Sequence, residues 1–123
     1  MNVLAIGCHP DDIEIGCAGT LAKCAARGDT VTVCHVANGN LGHEVIAPDE
    51  LRDMRKLEAK KAGGLAGIRV VTCDVGDLMV YEGSKQQRNL VTDVIRTTNP
   101  DFIITHAPSD YMPDHVAVSR LVV

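Results

Sequence analysis

Two short stretches concentrate the residues able to do chemistry. Near the start, "GCHPDDIEIGCAG" (7–19) sets His9 and Pro10 ahead of the adjacent carboxylates Asp11 and Asp12. Near the end, "HAPSDYMPDH" (106–115) puts a second imidazole, His115, directly after Asp114. Adjacent carboxylates in a tight turn attract a cation. Pro10 fixes its own φ and pushes His9 towards an extended backbone, which sets the imidazole relative to the turn. Neighbouring aspartates point in different directions, so one can ligate a metal while the other faces metal-bound water. Imidazole nitrogen and carboxylate oxygen suit Zn2+, and a catalytic zinc takes three protein ligands and leaves a fourth place for water. His115 is the candidate third ligand. Alone, H-P-D-D also reads as a turn with an N-capping aspartate, and His115 as a residue in the first turn of a helix. Both together, each at a strand end and beside aspartate, favour the metal.

The elements that must position them alternate in type. "NVLAIG" (2–7) reads as a buried strand, "GTLAKCAARG" (19–28) as a helix closed by Gly28, and "TVTVCHVA" (30–37) as a β-branched strand. Pro48 to about Gly67 reads as an amphipathic helix, "RVVTC" (69–73) as a strand, and 84–98 as a helix capped by Ser84 and stopped before Pro100. "DFIITH" (101–106) completes the strands, and a helix begins near Asp114. Strands apolar along their whole length, alternating with helices, predict an α/β fold: a Rossmann-like three-layer sandwich with a mainly parallel sheet. Ligands then bind outside the carboxyl ends of the strands. Those ends carry "CHPDD", "NGNLGH", "CDVGD" and "HAPSDYMPDH".

Several function classes recede on composition. The 123 residues are 46% hydrophobic and 23% charged, which predicts one globular domain over 1–123. Aromatics are 2%, so the core is expected to be Val, Ile, Leu, Ala and Met. A net charge of −4, without a basic block, argues against nucleic acid. Neither a signal peptide nor a membrane span is visible. The five cysteines form no C-x-x-C pair, which fits free thiols in a reducing, cytoplasmic setting. Neither G-x-G-x-x-G nor a P-loop occurs, and Asp11 and Asp12 would repel a phosphate at the first turn.

"HPDDIEIGCAGTLAK" resembles the N-terminal signature of the LmbE-like, or PIG-L, de-N-acetylases. "RKLEAKKAGGLAGI" and "THAPSDYMPDHVAV" resemble that family's second and third blocks, in the same order. The resemblance implies a hydrolase that removes N-acetyl groups from small amino-sugar conjugates of the N-acetylglucosaminyl type, using one Zn2+. It implies His9, Asp12 and His115 as ligands, Asp11 as general base, and Arg55 as an anchor for a polar substrate group. Asp114 would sit behind a ligand and orient it. Iron(II) is the other candidate metal, because two histidines and a carboxylate also make the facial triad of non-haem oxygenases.

Other polar residues are weaker candidates. Arg55 also reads as a helix-surface partner of Glu58. Asp77 and Asn40 could hold sugar hydroxyls, and His106 could act near the metal. His35 reads as a satisfied core histidine, and His43 has nothing beside it to suggest a task.

Two departures from the family pattern stand out. The last block usually reads H-P-D-H, and Met112 replaces its first histidine, which removes an oxyanion donor. A catalytically impaired metal- or ligand-binding member is therefore the alternative function. The usual C-terminal part, with further strands, does not follow the last motif. Either the fold is unusually short, or the chain is a fragment, or subunits complete each other's core; Leu121, Val122 and Val123 at the end of an apolar helix suggest a contact with another copy, and so a homo-oligomer.

Overall fold

The computed structural model describes residues 1–123. Four strands, β1 (Asn2–Gly7), β2 (Thr30–Ala37), β3 (Arg69–Val75) and β4 (Phe102–Thr105), form one sheet in the order β3-β2-β1-β4. All three pairings are parallel. Helices α1 (Asp12–Ala26), α2 (Pro48–Leu65), α3 (Lys85–Thr98) and α4 (Pro113–Val122) alternate with them. The parallel α/β sandwich expected from the strand pattern is the fold observed.

Both sheet faces are covered, and for that reason the strands lack polar alternation. Val3, Ala5, Val31 and Val33 pack with Ile13 and Leu21 of α1. Leu4, Ile6, Cys34 and Val36 face the other way, onto Val91 of α3 and Ala117 and Val118 of α4. No methionine belongs to this core; Met1, Met54 and Met79 are exposed, contrary to the composition-based expectation. Two cysteines, Cys8 and Cys34, fill the space instead. Leu121 and Val122 pack against the core, leaving Val123 as the exposed residue of the three expected to meet another copy.

The first helix departs most from its expected boundaries, at the first motif. A helix was expected over 19–28, but α1 begins at Asp12 and takes in "DIEIGCAG". Ile13, Cys17, Leu21 and Cys24 fall at helical spacing and pack on the sheet. Gly16 and Gly19 lie on the open side, where a Cβ would meet nothing. Burial of that stripe outweighs the low helix propensity of two glycines. The turn is thereby shortened, and Asp12 stands in the first helical turn.

Gly7 sets how closely α1 approaches the sheet. A Cβ there would lie 2.6 Å from Cγ1 of the buried Ile13. Gly7→Ala is expected to destabilise the fold by about 1–3 kcal/mol through overpacking, read as a lower midpoint in urea with an unchanged slope. His35 is satisfied as expected: its Nε2 lies 3.1 Å from Oε1 of Glu14 on α1. Burial works to raise the Glu14 carboxyl, and the His35 imidazole outweighs it, leaving the group below its ordinary value.

Candidate functional site

β1 is central to the site. It pairs with β2 on one side and β4 on the other, and the chain leaves β1 into α1 on one face but leaves β4 into α4 on the opposite face. Two helix starts thus diverge from adjacent strand ends and open a crevice between them. His9, Asp11 and Asp12 line one wall, and Met112 and His115 the other, of a cleft of about 680 Å³.

The two motifs meet there. His115 Nε2 lies 3.2 Å from Asp12 Oδ2 and 3.4 Å from His9 Nδ1, and His9 Nδ1 is 3.4 Å from Asp12 Oδ2. A tetrahedral ion with ligands at about 2.0–2.1 Å sets neighbouring ligand atoms roughly 3.3–3.4 Å apart. The triangle therefore fits a divalent cation. The opposite ring nitrogens agree: His9 Nε2 is 3.3 Å from Asp114 Oδ2, and His115 Nδ1 is 3.2 Å from Asp110 Oδ2. Assigning the ring protons from this network puts each N–H towards the outer carboxylate and each lone pair into the triangle. With the ring protons so placed, a cation held by the three inner atoms would take the place of the proton that His9 otherwise shares with Asp12.

The local electrostatics follow from the same contacts. Burial would raise the Asp12 carboxyl, but the surrounding imidazoles and the His9 backbone N–H outweigh it and hold the group far below the usual carboxylate range. The His9 N–H donates to Asp12 Oδ2 at 2.8 Å, so Asp12 fixes the turn as well as facing its imidazoles. The hydrogen bond to Asp12 raises the proton affinity of His9 against burial. Burial, reinforced by Asp114, Asp12, Asp77 and Asp11, pushes the Cys8 thiol far up, and its sulfur lies within 4.8 Å of the ligand atoms of His9, Asp12 and His115.

Asp11 behaves differently. It occupies the N-cap position of α1 yet makes no side-chain capping bond, and its exposed side chain lines the cleft. The capping-turn reading therefore does not account for it. Arg55, on α2, makes the expected helix-surface pair with Glu58 at 3.0 Å and also lines the cleft. It also donates to the Pro10 carbonyl, bracing the first turn. Gly39 (φ +78°) permits that approach, since a Cβ would lie 3.2 Å from Pro10 Cδ and 3.4 Å from Arg55 Cγ.

Three sequence-based assignments change. Asp77 accepts from the N–H groups of Gly39 and Leu41, and Asn40 Oδ1 accepts from Asp77 N, so these oxygens are engaged in building the loop wall. His106 Nε2 accepts from the Cys8 N–H at 2.9 Å, tying β4 to β1; that nitrogen cannot also donate to an oxyanion. His43 Nδ1 accepts from Val45 and Ile46 N–H groups and shapes the loop before α2. Asp110 was missed altogether. Its only sequence signal is a carboxylate five residues before His115, a spacing that shows contact only once the loop is folded.

Comparison with known proteins decides the family. Residues 4–123 match the model of PIG-L, described as GlcNAc-PI de-N-acetylase. The chain belongs to the PIG-L family. Among PIG-L relatives, it is 29% identical over 120 residues to the diacetylchitobiose deacetylase of Thermococcus kodakarensis, covering 93% of this chain and 45% of that protein. In structure it resembles the N,N'-diacetylchitobiose deacetylase of Pyrococcus horikoshii, with a TM-score of 0.88 and 28% identity over 97% of this chain and 46% of that one. It equally resembles GalB, the 4-carboxy-2-hydroxymuconate hydratase of Pseudomonas putida KT2440, with a TM-score of 0.89 and 26% identity over 99% and 54%. The chain thus spans about half the length of these relatives. No helix is long and apolar enough to cross a membrane.

Proposed function

We propose that the protein is a metal-dependent amidohydrolase that removes the acetyl group from an N-acetylglucosaminyl-type amino sugar, with Zn2+ as the metal and iron(II) as the competing candidate. The single observation that carries this reading is the triangle of His9 Nδ1, Asp12 Oδ2 and His115 Nε2, with an unengaged Asp11 beside it. A zinc ion held by those residues would lower the pKa of bound water towards about 7 and polarise an amide carbonyl.

The chain's own residues supply the rest. Asp114 and Asp110 accept the outer ring protons of His9 and His115 and hold both imidazoles in the ligating tautomer. Asp11, free of any cap bond, takes the proton of the attacking water and returns it to the leaving amine. Arg55 orients a polar substituent of the sugar, and the exposed Leu41, Leu78 and Tyr111 at the cleft give the sugar ring an apolar rim.

Acetate release from diacetylchitobiose and from an N-acetylglucosaminyl-inositol conjugate tests the proposal. Release should match free amine one for one, disappear when a chelator strips the metal, and return with Zn2+ or Fe2+. A protein that binds one metal per chain yet frees no acetate from either sugar would overturn it. Metal analysis of aerobically purified protein separates zinc from iron.

Met112 limits the rate on this reading. It lines the cleft at the N-cap of α4 and offers no donor where a histidine would. Met112→His is expected to raise acetate release by about 10²–10³-fold with metal content unchanged. No gain would mean that the position is irrelevant or that another group serves. A second reading rests on the likeness to GalB together with Met112: the same cleft adding water to an unsaturated carboxylate, without an oxyanion histidine. Consumption of such a substrate in the absence of acetate release would favour it.

A further inference from the structure

Away from the cleft, two thiols stand in contact between neighbouring strands. Cys34 on β2 is fully buried, and its Sγ lies 3.7 Å from Sγ of Cys73 on β3. The pair is diagonal, because Cys34 is in register with Val71. Cys73 differs from its partner in access. It lines a surface cavity of about 240 Å³ between β3 and α3, beside Leu90, Asp93 and Val94. One sulfur is thus reachable from solvent, and the other is stored directly behind it.

We infer that Cys73 and Cys34 form an oxidisable dithiol, in which the Cys73 sulfur attacks a hydroperoxide and Cys34 resolves the product into a disulfide joining β2 and β3. The hydrogen bond from Cys34 lowers the pKa of Cys73 against the opposing effect of burial, and Cys34 is raised by the same bond and by its own burial. This asymmetry matches the two roles. In the first step the Cys73 sulfur takes an oxygen from hydrogen peroxide: an S–O bond forms, the O–O bond breaks, and hydroxide leaves to become water. In the second, the Cys34 sulfur attacks the Cys73 sulfur: the S–S bond forms, the S–O bond breaks, and hydroxide leaves with the Cys34 proton as a second water. Two thiols and one peroxide give one disulfide and two waters.

Bond formation must bring the sulfurs from 3.7 Å to about 2.05 Å. Cys34 sits in the regular ladder opposite Val71, whereas Cys73 lies opposite the irregular step between His35 and Ala37, so the movement falls on β3. Just beyond that step, Asn38 N donates to the Val75 carbonyl at 2.8 Å and Gly39 N to Asp77 Oδ1 at 2.9 Å, knitting the two loops that wall the cleft.

Peptide mapping tests the pair without reference to any catalytic activity. The purified protein is treated with hydrogen peroxide, alkylated and digested with trypsin, which leaves Cys34 in residues 28–52 and Cys73 in residues 70–85. The expected product is a single species joining these two peptides, with two of the five thiols lost and both restored by dithiothreitol. In Cys34→Ser, Cys73 should accumulate as a sulfenic acid trapped by dimedone; in Cys73→Ser, peroxide should leave Cys34 a free thiol. The second variant serves if the first does not fold, because Cys73 is the more exposed site. A linkage through Cys8, Cys17 or Cys24, overoxidation of Cys73 with Cys34 still free, or oxidation of Cys34 in Cys73→Ser would overturn the inference.

Discussion

Asp11→Asn lowers acetate release by about 10²–10⁴-fold while the protein keeps its metal. Asparagine preserves the size of the side chain but cannot accept the water's proton. It is also as good an N-cap as aspartate, and Asp11 makes no side-chain capping bond to lose. Folding should therefore be unaffected, and the whole effect should fall on turnover. Metal analysis and steady-state rates on the same preparation check both halves. Loss of metal together with activity would assign ligation to Asp11 and reverse the division of labour between the two aspartates.

Asp12→Ala is expected to do the opposite. Asp12 Oδ2 lies 3.2 Å from His115 Nε2 and 3.4 Å from His9 Nδ1, so its removal takes one corner from the triangle. It also strips the acceptor from the His9 N–H, which frees the turn that aims the imidazole. Loss of an outer hydrogen-bond partner at a metal site typically weakens affinity about 10–100-fold, and loss of this inner carboxylate should exceed that. Competition with a chelator measures the affinity. Acetate release should fall in proportion to bound metal and recover only partly at high metal concentration. A variant that retained full affinity would place the ion elsewhere, at the His106, Asp110 and His115 group beside the triangle.

The two variants together separate the proposed chemistry from simple misfolding. One is expected to keep the ion and lose the proton acceptor; the other is expected to lose the ion and keep the acceptor. Both leave the β1–β4 pairing that brings the motifs together.

By itself the sequence determined the order of elements, the parallel sheet and the edge at which chemistry gathers. Those follow from local signals: β-branched strands without polar alternation, Ser84 accepting from Gln87 N as the cap of α3, and polar clusters after every strand. His9 and His115, with one of the two aspartates, were legible as a set because a metal requires donor types that stand out from an aliphatic background; the family resemblance singled out Asp12, and the fold brings its Oδ2 to both imidazoles. Tertiary structure alone decided three matters. It began α1 at Asp12, since the buried stripe of Ile13, Cys17 and Leu21 outweighs two glycines. It turned Asp77 and Asn40 into loop supports, because unpaired backbone N–H groups near the cleft claimed their oxygens. It also brought Asp110 to His115 and Cys73 to Cys34. Contacts of that kind depend on loop closure and strand register, which no spacing along the chain encodes.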